Sequence, residues 1–222
     1  MELTKPIFII GLHRTGSTLL RNILDQHPDI AMASDEMHIS DPLSKTLDDH
    51  YRECGDIFDD TNAKKLVDLI QSGKPKGTFW NDFSELDITY ETLKTRVFLS
   101  GRSLGGVVSA VLEAYQEFRG KPRVGVKYPL HPTRVHMLLE WFPDAKIIFL
   151  TRDPRGVIWS KLRDDATRRR KQKCGPFAFI PHYVTLAWFV FEYRRATGVY
   201  QKYRDAANWL FIRYEDLVEQ PE

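Results

Sequence analysis

Gly11-Leu-His-Arg-Thr-Gly16-Ser-Thr18 sets two glycines five positions apart, with an arginine between them and two hydroxyl residues after them. This is the GxxxxG spacing of a phosphate-cradling loop, in which successive backbone N–H groups and the positive end of a following helix stabilise a tetrahedral anion. Ser17 and Thr18 add hydroxyl donors, and Arg14 carries the cation inside the loop. Loops that hold ATP or GTP place Lys directly after the second glycine, and here Ser17 stands there instead. The plain alternative is an ordinary strand-to-helix turn with Gly16 near the helix start.

The missing lysine bears on the ligand. ATP-type phosphoryl transfer gathers several negative charges, which that Lys and a magnesium ion neutralise. No Walker-type aspartate stands at a strand end either. A group of lower charge, such as sulfuryl, is within reach of Arg and Lys alone. A second constellation, Thr151-Arg152-Asp153-Pro154-Arg155 with Ser160 further on, offers a guanidinium and a hydroxyl to one phosphate. Taken alone, Arg152 can equally pair with a carboxylate.

The elements that must position these residues read clearly. Lys5 to Ile10 is short, apolar and β-branched, as a strand buried on both faces is, and Gly11 ends it. Leu19, Leu20, Ile23 and Leu24 then recur at helical spacing until Pro28, and Ile30 to Ala33 forms a second strand. About 35–100 reads as an acidic, mixed helical insertion that shapes a substrate pocket, with amphipathic pieces at Ala63 to Ile70 and Tyr90 to Leu99. A helix over Ser103 to Phe118, a strand over Arg123 to Lys127 and a helix over Thr133 to Trp141 follow. Ala145 to Thr151 is the strongest strand, and Asp153 and Pro154 match an N-cap and first helical position of a helix running to about Arg163. A long helix from His182 to about Tyr203 precedes a last strand at Trp209 to Arg213. Alternating strands and helices predict an α/β, P-loop-like three-layer fold with a central parallel sheet flanked by helices. In such sheets ligands lie at the carboxyl ends of the strands, and Gly11, Asp35, Glu36, Lys127, Arg152 and Tyr214 all follow predicted strand ends.

Composition excludes other classes. A chain of 222 residues with 42% hydrophobic residues buries a real core and is read as one domain over 1–222. A formal net charge of +2 gives no field to hold nucleic acid or an anionic membrane, so no nucleic-acid partner is expected and any anion must be caught locally. The amino-terminal apolar stretch is too short for a signal or a membrane span. Cys54 and Cys174 lie 120 positions apart without metal-ligand spacing, which predicts neither a disulfide framework nor a metal and makes the cytoplasm the default location. The basic run of Arg163, Arg168 to Lys171 and Lys173 reads as a solvated loop, with an acidic acceptor or the nucleotide as the sharper alternative. Gly101-Arg-Ser-Leu-Gly-Gly106 lacks a preceding strand and reads as a helix start.

Together these segments resemble the sulfotransferases that use 3′-phosphoadenosine 5′-phosphosulfate (PAPS), near the bacterial, carbohydrate and tyrosylprotein branches. PIFIIGLHRTGSTLLRNILDQHPDI is similar to that family's 5′-phosphosulfate loop and helix, and FPDAKIIFLTRDPRGVIWSKLRD to its 3′-phosphate motif. RYEDLVEQPE resembles its late strand and following turn, and GKPRVGVKYP the stretch with a catalytic Lys. The resemblance implies that His13, Arg14, Thr15, Gly16, Ser17 and Thr18 hold the phosphosulfate, and that Arg152 and Ser160 hold the 3′-phosphate. It implies that Tyr214 completes the nucleotide site and that Lys127 touches the oxygen bridging phosphate and sulfate. For the base that takes the acceptor proton, an E-x-H pattern points to Glu36, an ungapped count to Asp35, and His38 is the weaker alternative. PAPS as donor, no metal, and a small-molecule, carbohydrate or peptide acceptor with a hydroxyl or amine follow from the resemblance. So does a continuation past Glu222, into a helix and basic loop over the nucleotide. A P-loop nucleotide kinase, which needs magnesium, and a non-catalytic nucleotide-binding module are the competing classes.

Overall fold

The computed structural model describes residues 5–33, 37–39, 45–128, 134–163 and 180–219. Its strands are β1 (Ile7–Gly11), β2 (Ile30–Met32), β3 (Arg123–Lys127), β4 (Lys146–Thr151) and β5 (Trp209–Arg213). They form one sheet in the order β2-β3-β1-β4-β5. The pairs β1–β3, β2–β3 and β4–β5 are parallel. The fold is α/β, a central parallel sheet flanked by helices, as the alternation of segments predicts. β1 is buried at every position and β4 at four of six, which explains why both read as unbroken apolar runs.

The helices are α1 (Ser17–Asp25), α2 (Leu47–Cys54), α3 (Asp60–Gln71), α4 (Thr78–Ser84), α5 (Tyr90–Leu99) and α6 (Leu104–Arg119). After β3 come α7 (Val135–Trp141), α8 (Pro154–Leu162), α9 (Ile180–Tyr203) and α10 (Tyr214–Glu219). Their bounds agree with the expected ones to within two or three residues where both exist. By compactness the chain divides into two units, Met1–Ile9, Thr18–Pro129 and Met137–Lys146 in the first, and Ile10–Ser17, Leu130–His136 and Ile147–Glu222 in the second.

In the first unit α3, α5 and α6 pack together and α6 lies on β3. Phe79, Trp80 and Phe83 of α4 are fully buried with Leu66, Val67 and Ile70 of α3. The turn from α1 into β2 is fixed by Lys121, whose Nζ donates to the carbonyls of Asp25, His27 and Ile30 at 2.9, 3.0 and 2.9 Å. A cation at the carboxyl end of α1 answers the partial negative charge there. Tyr115 adds a buried hydrogen bond from its hydroxyl to the Met32 carbonyl, 3.1 Å.

In the second unit β4 and β5 run in register from Ile147 opposite Trp209 to Thr151 opposite Arg213. Phe149, Trp209 and Phe211 stack along that pair, with Tyr200 and Tyr203 of α9 on the same rings. This aromatic layer seats α9 on the sheet, and α8 packs against α9. Asp153 accepts the Arg155 N–H at 2.8 Å and Pro154 opens α8, as the sequence predicts.

Candidate functional site

The second unit contains the loop from Gly11 to Ser17. Gly11 has φ of 153° and a Cβ there would lie 2.4 Å from the Leu150 carbonyl oxygen, so only glycine lets the chain leave β1 so close to β4. Thr15, 1% exposed, closes the loop from within by donating its hydroxyl to the Leu12 carbonyl at 2.8 Å. Gly16 has φ of 92°, and a Cβ on it would lie 2.3 Å from Cδ2 of Tyr214. The Tyr214 ring thus covers the loop at its second glycine. Arg14 adopts a left-handed φ of 69°, a conformation that costs a non-glycine residue about 1 kcal/mol or more and is concentrated at functional sites. His13 and Arg14 are exposed.

Arg14 Nε donates to Ser160 Oγ at 3.0 Å, across 146 residues of sequence. Arg152, at the end of β4, donates through Nη1 to the Arg14 carbonyl at 3.1 Å. Its guanidinium lies over the Tyr214 ring, 4.1 Å from the centroid. Five of the expected residues, Arg14, Gly16, Arg152, Ser160 and Tyr214, are therefore one cluster. Among the described residues neither Arg14 nor Arg152 pairs with a carboxylate, so two guanidinium groups share this cluster without a protein counter-ion. Ser160 accepts from Arg14 and keeps its own O–H to give. Such a cluster offers several charge-assisted donors to an anion, and the paired phosphates of a 3′-phosphorylated nucleotide suit its chemistry.

Glu215 is the residue that sequence reasoning passed over. Its Oε1 accepts the Asp153 N–H at 3.0 Å and ties the turn after β4 to the first turn of α10, the helix that follows β5. That tie sets Arg152 and Tyr214, the neighbours of the two tied residues, face to face. Its only sequence signal is an acid directly after Tyr214, which does not reveal a partner 62 positions away. The Asp153 carboxyl is held at about 2, chiefly by the Arg155 guanidinium and then by the Arg155 N–H, so the cap of α8 stays ionised at neutral pH. A cavity of about 480 Å³ adjoins the cluster, lined in part by Leu12, Thr15, Thr151, Arg152, Tyr193 and Arg213.

In the first unit Lys127, the last residue of β3, is 5% exposed. Its Nζ donates to Thr18 Oγ1 at 3.0 Å, so the expected catalytic lysine meets the hydroxyl that ends the loop motif. Met37 donates its N–H to the Lys127 carbonyl at 3.3 Å, and the carbonyl of half-buried His38 accepts from Trp80 Nε1 at 3.4 Å. Asp35 and Glu36, the candidate bases, lie outside the described residues. A larger cavity of about 1150 Å³ in this unit is lined by Lys5, Pro6, Trp141 and Phe142 among others, at the amino ends of β1 and β4, and includes none of the expected site residues. Volume alone does not locate the chemistry. Among the described residues there is no group of three or more His, Cys, Asp or Glu placed to hold a metal ion, and no helix long and apolar enough to cross a membrane.

Comparison with known proteins bears on the same segments. The chain is 26% identical over 238 aligned residues to omega-hydroxy-beta-dihydromenaquinone-9 sulfotransferase Stf3 of Mycobacterium bovis and of Mycobacterium tuberculosis, covering 98% of this chain and 60% of each relative. It thus spans well under two thirds of the curated relatives it matches. A sulfotransferase domain from the curacin biosynthetic pathway shares the fold, with a TM-score of 0.58 at 22% identity over 100% of this chain and 71% of that one. A family model described as the sulfotransferase family matches residues 6–222, from the residue before β1 to the end of the chain, and the protein belongs to that family.

Proposed function

We propose that this chain transfers a sulfuryl group from 3′-phosphoadenosine 5′-phosphosulfate to a hydroxyl, or an amine, of an acceptor molecule. The observation that carries the reading is the cluster in which Arg14 reaches Ser160 and Arg152 reaches the Arg14 carbonyl, two cations and a hydroxyl with no carboxylate pairing them among the described residues. PAPS supplies an activated sulfuryl group on a phosphate leaving group, together with a 3′-phosphate by which it can be gripped. Arg152 and Ser160 bind the 3′-phosphate, and Arg14 with the N–H groups of His13 to Ser17 receives the phosphosulfate. Lys127 and Thr18 stabilise the charge that grows on the leaving phosphate oxygen. Tyr214 orients the nucleotide and keeps Arg152 stacked.

Glu36 takes the acceptor proton, with Asp35 and His38 as the alternatives that mutagenesis separates. The curated relatives' name describes an omega-hydroxy menaquinone as acceptor, which supports a hydroxyl as the nucleophile here. Incubation with radiolabelled PAPS against a panel of alcohols, phenols, sugars and peptides, with and without a chelator, tests the reading. Label on an acceptor with rates unchanged by the chelator is the expected result. Nucleotide binding without transfer to any acceptor would leave a binding module, and dependence on magnesium and ATP would make the chain a kinase.

A further inference from the structure

Among its described residues α9 carries apolar side chains on both its inner and its outer side. Phe189 and Ala196 turn inward and are buried, whereas Tyr183, Val184 and Phe191 are 64%, 62% and 57% exposed. On α8, which packs against α9, Trp159 is 60% exposed. Large side chains clustered on a surface in this way mark an interaction site rather than scattered exposure.

The charges interleaved with them have one sign. The Arg163 guanidinium lies 3.9 Å from the centroid of Trp159, that of Arg195 lies 5.2 Å from Phe191, and Arg194 is exposed beside them. α8 carries no acid, and the only one on α9, Glu192, is 2% exposed and faces Arg195 at 3.5 Å. A second copy docked face to face would set these arginines against their own images. Exposed aromatic and aliphatic groups among cations, with no exposed acid among the described residues of these two helices, match the headgroup region of an anionic lipid surface.

We propose that the outer face of α9 with Trp159 docks on an anionic lipid surface and brings the transfer site to an acceptor held in that surface. The dock rests on the face alone, and the acceptor class rests on the sulfotransferase reading above. Trp159 directly precedes Ser160, the hydroxyl that Arg14 reaches, so the apolar face and the cationic cluster meet within α8. Aromatic rings enter the boundary between headgroups and chains while the guanidinium groups stay at phosphate level.

The test is flotation of the whole chain with vesicles of phosphatidylcholine alone and of phosphatidylcholine with roughly one-third phosphatidylglycerol. Binding to the anionic vesicles about tenfold stronger than to the neutral ones, and weakened by added salt, is expected. Phe191→Asp and Val184→Asp should each lower it by about tenfold, and Arg194→Glu should lower only the anionic component. Unchanged melting curves certify that these surface variants fold. Absence of vesicle binding, or binding that all three variants leave intact, overturns the proposal. A concentration-dependent dimer that Phe191→Asp dissolves, with no vesicle binding, assigns the face to a second copy. Vesicle binding without sulfuryl transfer to any acceptor would instead fault the enzymatic reading and leave the docking face standing.

Discussion

Replacing Arg152 by alanine isolates the residue proposed to read the 3′-phosphate. In the structure this guanidinium makes a hydrogen bond to the Arg14 carbonyl and a stack on Tyr214, and pairs with no described carboxylate. Its removal therefore leaves no orphaned buried charge, and the stability lost is about 0.5–1 kcal/mol for the half-exposed stack. Against a bound 3′-phosphate the loss is larger, because a hydrogen bond to a charged group contributes about 1.5–3 kcal/mol. That converts to a dissociation constant for 3′-phosphoadenosine 5′-phosphate raised roughly tenfold to 150-fold. Arg152→Lys keeps the charge but loses the planar fork and the ring stack, and should recover only part of the affinity. Calorimetric titration at fixed salt with this nucleotide and with adenosine 5′-phosphate reads the difference. The wild type should prefer the 3′-phosphorylated ligand, and Arg152→Ala should erase most of that preference. If both nucleotides lose affinity equally, Arg152 shapes the turn and does not read the 3′-phosphate. If neither loses any, the cluster around Arg14 and Ser160 is not the nucleotide site.

The remaining predictions concern the loop, the base and the α8 cap. Gly16→Ala forces a side chain into a left-handed φ of 92° and into the Tyr214 ring, and should weaken nucleotide binding at least about tenfold while Gly120→Ala, at an open site, leaves it unchanged; titration of both variants decides it. Glu36→Gln should lower kcat about a hundredfold with donor affinity preserved and Asp35→Asn should do much less; the reverse order of effects would move the base to Asp35, and no effect from either would pass it to His38, which a pH–rate inflection at about 6 to 7 would then show. Asp153, at about 2 when folded against an ordinary 3.8, contributes stability that is fully present above pH 4 and lost as pH falls toward 2. Asp153→Asn should therefore lower Tm at neutral pH and flatten the pH dependence of Tm between about 4 and 2; a mutant whose acid limb matches the wild type would mean the cap does not set it.

What the sequence made legible was what local chemistry decides. Asp153 and Pro154 declare the start of α8 because an N-cap acid and a first-turn proline act within a single turn. Strands β1, β3 and β4 were legible because a strand buried on both faces is apolar where it is buried, whereas β5, which the structure leaves half-buried to exposed, was legible from its unbroken run of aromatic and branched residues, Trp209 to Ile212. The helices between β2 and α6 divide on the same ground. α3 and α5 run 12 and 10 residues, enough for the helical period to show. α4 is 7 residues long and held by Phe79, Trp80 and Phe83, a pattern too short to separate from a buried strand. α2 is announced by Thr46 and Asp49, whose carboxylate accepts the Thr46 N–H at 2.9 Å, but Asp in place of Glu weakens the capping-box signature. Tyr214 was expected in a turn after β5 and instead opens α10, because β5 and α10 abut with no intervening residue.

Partnerships across the chain were not legible, and they decide how the cluster acts. The GxxxxG loop and the RDPR turn each announce an anion site, but nothing local states that Arg14 reaches Ser160 or that Glu215 holds the Asp153 N–H. Those contacts give the cluster its properties. Tyr214 covers Gly16 and stacks under Arg152, so the loop glycine, the arginine after β4 and the tyrosine after β5 are mechanically one piece. Loss of Glu215 then acts through Arg152 without touching ligand. Glu215→Gln retains an acceptor for the Asp153 N–H and should leave the nucleotide preference nearly intact, while Glu215→Ala frees the two turns and should cost a large part of the 3′-phosphate preference that Arg152→Ala removes. Titration of both variants with the same two nucleotides separates positioning from general damage, because damage would lower both affinities together. If Glu215→Ala keeps the full preference, the tie between the turns is incidental and the stack on Tyr214 holds Arg152 by itself.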